Sequence, residues 1–187
     1  MNTDLLIKAF RPLQLDPIRH DKFFELWQAT HFRKGDFLTR QGDIERWFYV
    51  VEEGVQIIYL IAKNGDQKVL GFSYDGSFSG VYDSFLKGSG SKYYLQAIKK
   101  TSALKISRKD YDSLFDLYPE FNYWGRIAHQ ELLIGRVERE VELFSLNAKE
   151  RFDKFMSRCP QPLLNIPQKY LASYLNMTPE TYSRLRK

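Results

Sequence analysis

The residues whose types and spacing most plainly suit chemistry lie at the end of the chain. Thr178-Pro179-Glu180-Thr181, then Ser183-Arg184 and Lys187, place three hydroxyls, a carboxylate and two cations within ten residues. On one helix such groups suit nucleic acid. Arginine can hold guanine bidentately and glutamate can accept from cytosine, while Thr178, Thr181 and Ser183 suit phosphate oxygens. Charge supports this. Residues 1–144 hold 20 basic and 20 acidic side chains, whereas residues 145–187 hold eight and three, so the whole net charge of +5 sits at the end. A basic terminal module implies a polyanionic partner. Catalytic and metal chemistry find little support. His20, His31 and His129 show no H-x-H or H-x-x-x-H spacing for a metal barrel. The lone Cys159 can close no internal disulfide and cannot supply the thiolates of an iron–sulfur or structural zinc site. The chain therefore reads as no enzyme, with no metal.

Those terminal groups need a frame. Pro167 to Leu175 and Pro179 to Leu185 read as two short helices joined by Asn176-Met177-Thr178, a helix-turn-helix pattern. Ala172 is small where the helices come closest. Asn176 suits a left-handed turn, and Thr178 can cap a helix that has Pro179 at its first position. Leu171, Leu175, Met177, Tyr182 and Leu185 supply the apolar face. A helical hairpin that only packs is the plainer alternative.

Before this module runs Pro119 to Phe144, with Ile127, Ile134 and Val141 at seven-residue spacing and Tyr123, Val137 and Phe144 between them. Gln130 breaks the repeat once. A helix of this length spans about 39 Å, more than a domain of this size needs for its own core. Either it packs on its own domain, or it forms a two-fold seam with a second copy; Ile127, Ile134, Val137, Val141 and Phe144 are the seam residues.

From Ala29 to Ser107 short β-branched and aromatic runs alternate with Gly, Asp and Asn turns at roughly ten-residue spacing, the pattern of an all-β sandwich or barrel. Asn64-Gly65 is the strongest hairpin signal and predicts a type I′ turn. Residues 3–28 read as helical, broken at Pro12 and Pro17, with Asp16-Pro17 as a cap and first helical position. Ser107 reads as the N-cap of a helix from Arg108 to Leu117. Ala148 to Ser157 reads as a helix, and Cys159-Pro160-Gln161-Pro162 as a connector. The fold class is α+β: a double-stranded β-helix, or jelly-roll-like β-roll, over residues 1–118, a dimerisation helix over 119–144 and a helix-turn-helix over 145–187. No run of 18 apolar residues marks a membrane span, the N-terminus is no secretory signal, and a cytoplasmic location is the default.

The order of motifs resembles the Crp/Fnr family, the cyclic-AMP receptor protein and the fumarate–nitrate reductase regulator among its members. The resemblance covers about residues 25–187. It rests on Lys34-Gly35-Asp36 and Gln41-Gly42-Asp43, on Tyr49-Val50-Val51-Glu52-Glu53-Gly54-Val55, on Phe78-Ser79-Gly80, on Tyr118-Pro119, and on Ile166-Pro167 through Met177-Thr178-Pro179-Glu180-Thr181 to Arg184. It implies a sensor β-roll, a dimerising helix and a helix-turn-helix in which Glu180 and Arg184 contact bases. The implied partners are double-stranded DNA, a second copy, RNA polymerase and a small-molecule effector, with no membrane. The sequence departs from the family at the phosphate-binding cassette. The ribose-holding glutamate is replaced by Val81, and the phosphate-pairing arginine falls on Ser91, with Lys92 read as pointing to the opposite strand face. Losing a buried charge-assisted contact costs about 2–5 kcal/mol. No cofactor is certain, and a cyclic nucleotide is disfavoured. The effector pocket is placed at Gly80, Val81, Tyr82, Ser91 and Lys92, with Arg136 as a substitute cation. A wing after the second helix is expected to be absent or truncated. The rival reading is a dimeric ligand-sensing or protein-interaction module that does not bind DNA specifically.

Overall fold

The computed structural model describes residues 2–186. The chain opens with α1 (Thr3–Ala9), a single 3-10 turn (Arg11–Leu13) and α2 (Asp21–Glu25). Eight strands and one helix follow: β1 (Gln28–Phe32), β2 (Phe37–Thr39), β3 (Trp47–Glu53), β4 (Val55–Ile61), β5 (Gln67–Tyr74), β6 (Phe78–Ser79), α3 (Tyr82–Lys87), β7 (Tyr94–Ala97) and β8 (Thr101–Ser107). They form two four-stranded antiparallel sheets, ordered β1-β8-β3-β6 and β2-β7-β4-β5. Alternating side chains put Val55, Ile57 and Tyr59 of β4 inside. This is the β-roll, in an α+β chain.

The rest is helical: α4 (Arg108–Leu117), α5 (Pro119–Ser145), α6 (Ala148–Arg158), α7 (Gln161–Leu164), α8 (Gln168–Tyr174) and α9 (Pro179–Arg186). Ser107 caps α4 by accepting the Asp110 N–H at 3.1 Å. Pro119 stands in the first turn of α5, where its missing N–H is no loss. Asn147 and Glu150 close a reciprocal capping box on α6.

Two cores hold these parts. The first joins Phe10, Phe23 and Trp27 to Phe48, Ile106, Tyr111, Phe121 and Trp124, fixing the base of α5 to the β-roll. Phe121 is fully buried, with ring centroids 4.9 Å from Phe115 and 4.8 Å from Trp124. Phe121→Ala is expected to cost about 3–5 kcal/mol, read as a lowered urea midpoint at unchanged slope. The second core joins Val55, Ile57, Tyr59 and Val69 of the sheet to Phe152, Phe155, Leu171, Leu175 and Tyr182. The C-terminal helices therefore pack on the β-roll.

Several local expectations are corrected. The Asp16 carboxylate accepts the N–H groups of Ile18 and Arg19, both at 2.9 Å, and closes a turn, so the helix begins only at Asp21. At Asn64-Gly65 only Gly65 has positive φ (+86°). Its N–H bonds to Ala62 O at 2.9 Å, and the Asn64 side chain accepts the Asp66 N–H, which favours a longer loop over a type I′ turn. Lys92 lies on no strand, since β7 begins at Tyr94. The connector after Cys159 contains the short α7, and Tyr82 to Lys87 is the unexpected α3.

Candidate nucleic-acid interface and effector cavity

The α8–α9 pair is built as a tight corner. Ala172 is fully buried, and its carbonyl accepts the Met177 N–H at 3.0 Å. Asn176 takes φ +51°, the left-handed conformation that reverses the chain. The Thr178 hydroxyl accepts the Thr181 N–H at 3.2 Å. Tyr182 is buried against Phe152, ring centroids 5.3 Å apart. With Tyr182 turned inward, Thr178, Glu180, Ser183 and Arg184 are exposed and Thr181 is half-exposed. Backbone hydrogen bonding at the helix start, joined by Thr178, holds the Glu180 carboxyl below its usual range, so it is acceptor-only at neutral pH. Lys187 lies outside the described residues.

This corner is clamped to α5 and to the sheet. The Arg139 guanidinium lies 3.6 Å from the Tyr174 ring centroid and donates to Tyr174 O at 2.6 Å. Arg151 donates to Leu175 O at 2.9 Å. On β5, an edge strand, the Ser173 hydroxyl accepts the Val69 N–H at 2.9 Å and donates to Gln67 O at 2.8 Å. Glu142 receives Arg158 at 2.9 Å and Lys154 at 3.1 Å. Burial pushes the Glu142 carboxyl up, but the Lys154 hydrogen bond and the Arg158 charge outweigh it and leave it below 4.5. A carboxyl depressed on folding stabilises above its unfolded value, and that stability is lost as pH falls through the folded one. Glu142→Gln is therefore expected to lower thermal stability at pH 7 and to leave it unchanged near pH 3, checked by melts across that range.

Helix α5 carries two apolar stripes. One faces away from its own domain: Tyr123, Ile134, Val137, Val141 and Phe144 are exposed, Val137 by 51% and Phe144 by 84%, while Ile127 is half-buried. The other, at four-residue spacing, is Trp124, Ala128 and Leu132, with the Arg136 cation one turn further on. It lines a cavity of about 570 Å³ against the β-roll, a volume suited to a small molecule. The facing wall includes Phe48, Ile58, Gly71, Phe72, Phe78, Ser79, Gly80, Tyr82, Tyr93 and Tyr111. A β-bulge helps to shape it. Ile58 pairs with Gly71 and Tyr59 with Val69, which leaves Leu70 over, and Leu70 O accepts from Arg136 at 3.3 Å. At the cavity edge the Tyr82 hydroxyl meets His129 Nε2.

A cyclic nucleotide-binding domain model matches residues 29–118. The nitrogen fixation regulation protein FixK of Bradyrhizobium diazoefficiens is 26% identical over 181 residues, covering 91% of this chain and 75% of that one. The fumarate and nitrate reduction regulatory protein of Salmonella typhi is 26% identical over 169 residues, covering 82% of this chain and 65% of its own length. Along most of its length the chain resembles the Crp/Fnr family. The solved structure of FixK2 from Bradyrhizobium japonicum shares the fold, at TM-score 0.73 and 18% identity over 86% of this chain and 82% of that one. The first two relatives are regulatory proteins by name.

Against the Crp/Fnr pattern that the chain resembles, the cassette positions are altered. Gly80, Tyr82 and Arg136 line the cavity; Val81, Ser91 and Lys92 do not. Val81 is fully buried. Ser91 is buried too, its hydroxyl donating to Tyr93 O at 2.7 Å and accepting the Tyr93 N–H at 2.9 Å. Beside them sits Glu45, 3% exposed, whose carboxylate accepts the Val81 N–H at 3.3 Å, the Trp47 N–H at 3.1 Å and the Thr39 hydroxyl. Burial pushes the Glu45 carboxyl up. An internal acid thus occupies the backbone donor at the head of the cassette helix. Sequence reasoning did not find Trp124, His129 or Tyr93 as cavity residues. The four-residue ladder on α5 was the signal that marks the first.

Proposed function

We propose that this chain is a DNA-binding regulator of the Crp/Fnr type that works as a homodimer paired along α5, presenting two copies of α9 to successive major grooves of duplex DNA. In this reading residues 1–118 sense, 119–144 pair and 145–187 read DNA. The observation that carries it is the outward stripe on α5, apolar from Ile134 to Phe144 over about three helical turns and left uncovered by its own domain. Exposed Glu180 and Arg184 support groove reading. The cavity between α5 and the β-roll is the effector site, and its occupant is not a cyclic nucleotide held by the cassette. Val81 and Ser91 offer no ribose or phosphate partner, and Glu45 already takes the Val81 N–H. The deciding experiment pairs sedimentation with binding to a duplex selected from a random library. A dimer is expected, whose affinity falls steeply with log salt, with a slope of about −0.9 per phosphate contacted. A monomer, or a flat salt response, overturns the reading.

A further inference from the structure

We infer that the cavity between α5 and the β-roll takes a small planar organic acid, its ring among the aromatic walls and its single carboxylate on Arg136. This rests on the effector reading above and assigns the chemistry of that site.

Four aromatic side chains from four different elements converge on the cavity: Phe48 of β3, Phe78 of β6, Tyr111 of α4 and Trp124 of α5. Rings of this kind favour a flat apolar guest, through stacked or edge contacts. Phe48 and Phe78 are already stacked, centroids 5.3 Å apart, and Trp124 meets the edge of Phe78 at 5.6 Å.

The charge is set by Arg136. Among the described residues its guanidinium makes no ion pair, and its one hydrogen bond is the 3.3 Å contact to Leu70 O. A planar fork with most donors free is matched by a carboxylate, which it can hold bidentately. Asp83 lines the same cavity, so a second acidic group on the guest is disfavoured. At the cassette end the Val81 N–H is already taken by Glu45, at 3.3 Å, and is not free for an anion. The acid group therefore goes to the α5 end, away from the place where a cyclic phosphate would need partners.

The test uses one ring with three charges. Isothermal titration of the full chain would compare indole-3-acetate, indole-3-acetamide and tryptamine, with cyclic AMP as a fourth titrant. Indole-3-acetate should bind about 10- to 100-fold tighter than the amide, the range for a hydrogen bond to a charged group, and tryptamine weakest. Arg136→Gln should bring the acetate down to the level of the amide without moving the ligand-free melting temperature. Ala128→Trp, which fills the cavity from α5, should abolish binding of both. If the amide or the amine matches the acetate, or if Arg136→Gln keeps the preference, the acid assignment falls while the cavity stands as an effector site. If Ala128→Trp binds as the parent does, or if no indole compound binds, the effector reading falls with it. Micromolar binding of cyclic AMP alone removes the acid assignment and the exclusion of a cyclic nucleotide.

Discussion

Replacing Val137 with glutamate is expected to leave a folded monomer that has lost about 10²- to 10⁴-fold in affinity for its operator. Val137 is half open to water and touches no core of its own subunit, so a carboxylate there costs the isolated chain little. Across a two-fold seam the situation reverses. Each copy contributes one charge close to the other in an apolar stripe flanked by Ile134 and Val141, and an unpaired buried charge is strongly unfavourable. Once the pair separates, each α9 binds one half-site alone. The second contact then no longer gains from the effective concentration set by the first, a factor of about 10²–10⁴. Val137→Ala should remain dimeric, since it removes only two methyl groups. Sedimentation of Val137→Glu at low micromolar concentration decides the matter. A dimer under those conditions shows that the stripe is covered by something other than its twin.

The parts legible in the sequence are those where one local signal acts alone. The helix from Arg108 to Leu117 was readable because the Ser107 hydroxyl caps it, and the 27-residue α5 because Pro119 starts it and nothing interrupts it. The corner at Asn176 was readable because few residues other than glycine take positive φ. Competition hid the rest. Asp16 can cap a helix or close a turn, and the turn wins with two hydrogen bonds. Tyr82 to Lys87 is too short to show a period, and its cap is a backbone arrangement with no side-chain bond. The seating of α8 on the edge strand depends on Ser173, a residue that a hydrophobic pattern counts as solvent-facing. The cavity is assembled from residues that lie from Phe48 to Arg136 in the chain. Only the α5 ladder left a local trace, and the outward stripe on the same helix masked it, because two stripes on one helix blur the period of each.

Removing the guanidinium of Arg184 should cost more in specificity than any other single change in α9. A bidentate contact to a base edge contributes about 1–3 kcal/mol, and a symmetric dimer loses it twice, so operator affinity should fall by about 30-fold to 10⁴-fold. The nature of the loss matters more than its size. Arg184 is exposed on the face opposite buried Tyr182, beside Glu180 one turn earlier. Arg184→Ala should therefore relax the preference at one base pair in each half-site and barely change binding to unrelated duplex. Arg186 lies two residues on, about 200° around the helix, and suits a phosphate contact. Arg186→Ala should weaken all sequences alike and lower the salt slope by about one for each protomer. Selection from a random duplex library with each variant separates the two. If Arg184→Ala lowers affinity equally for every sequence, its guanidinium meets the backbone, and base reading must be sought at Glu180 and Thr181 instead.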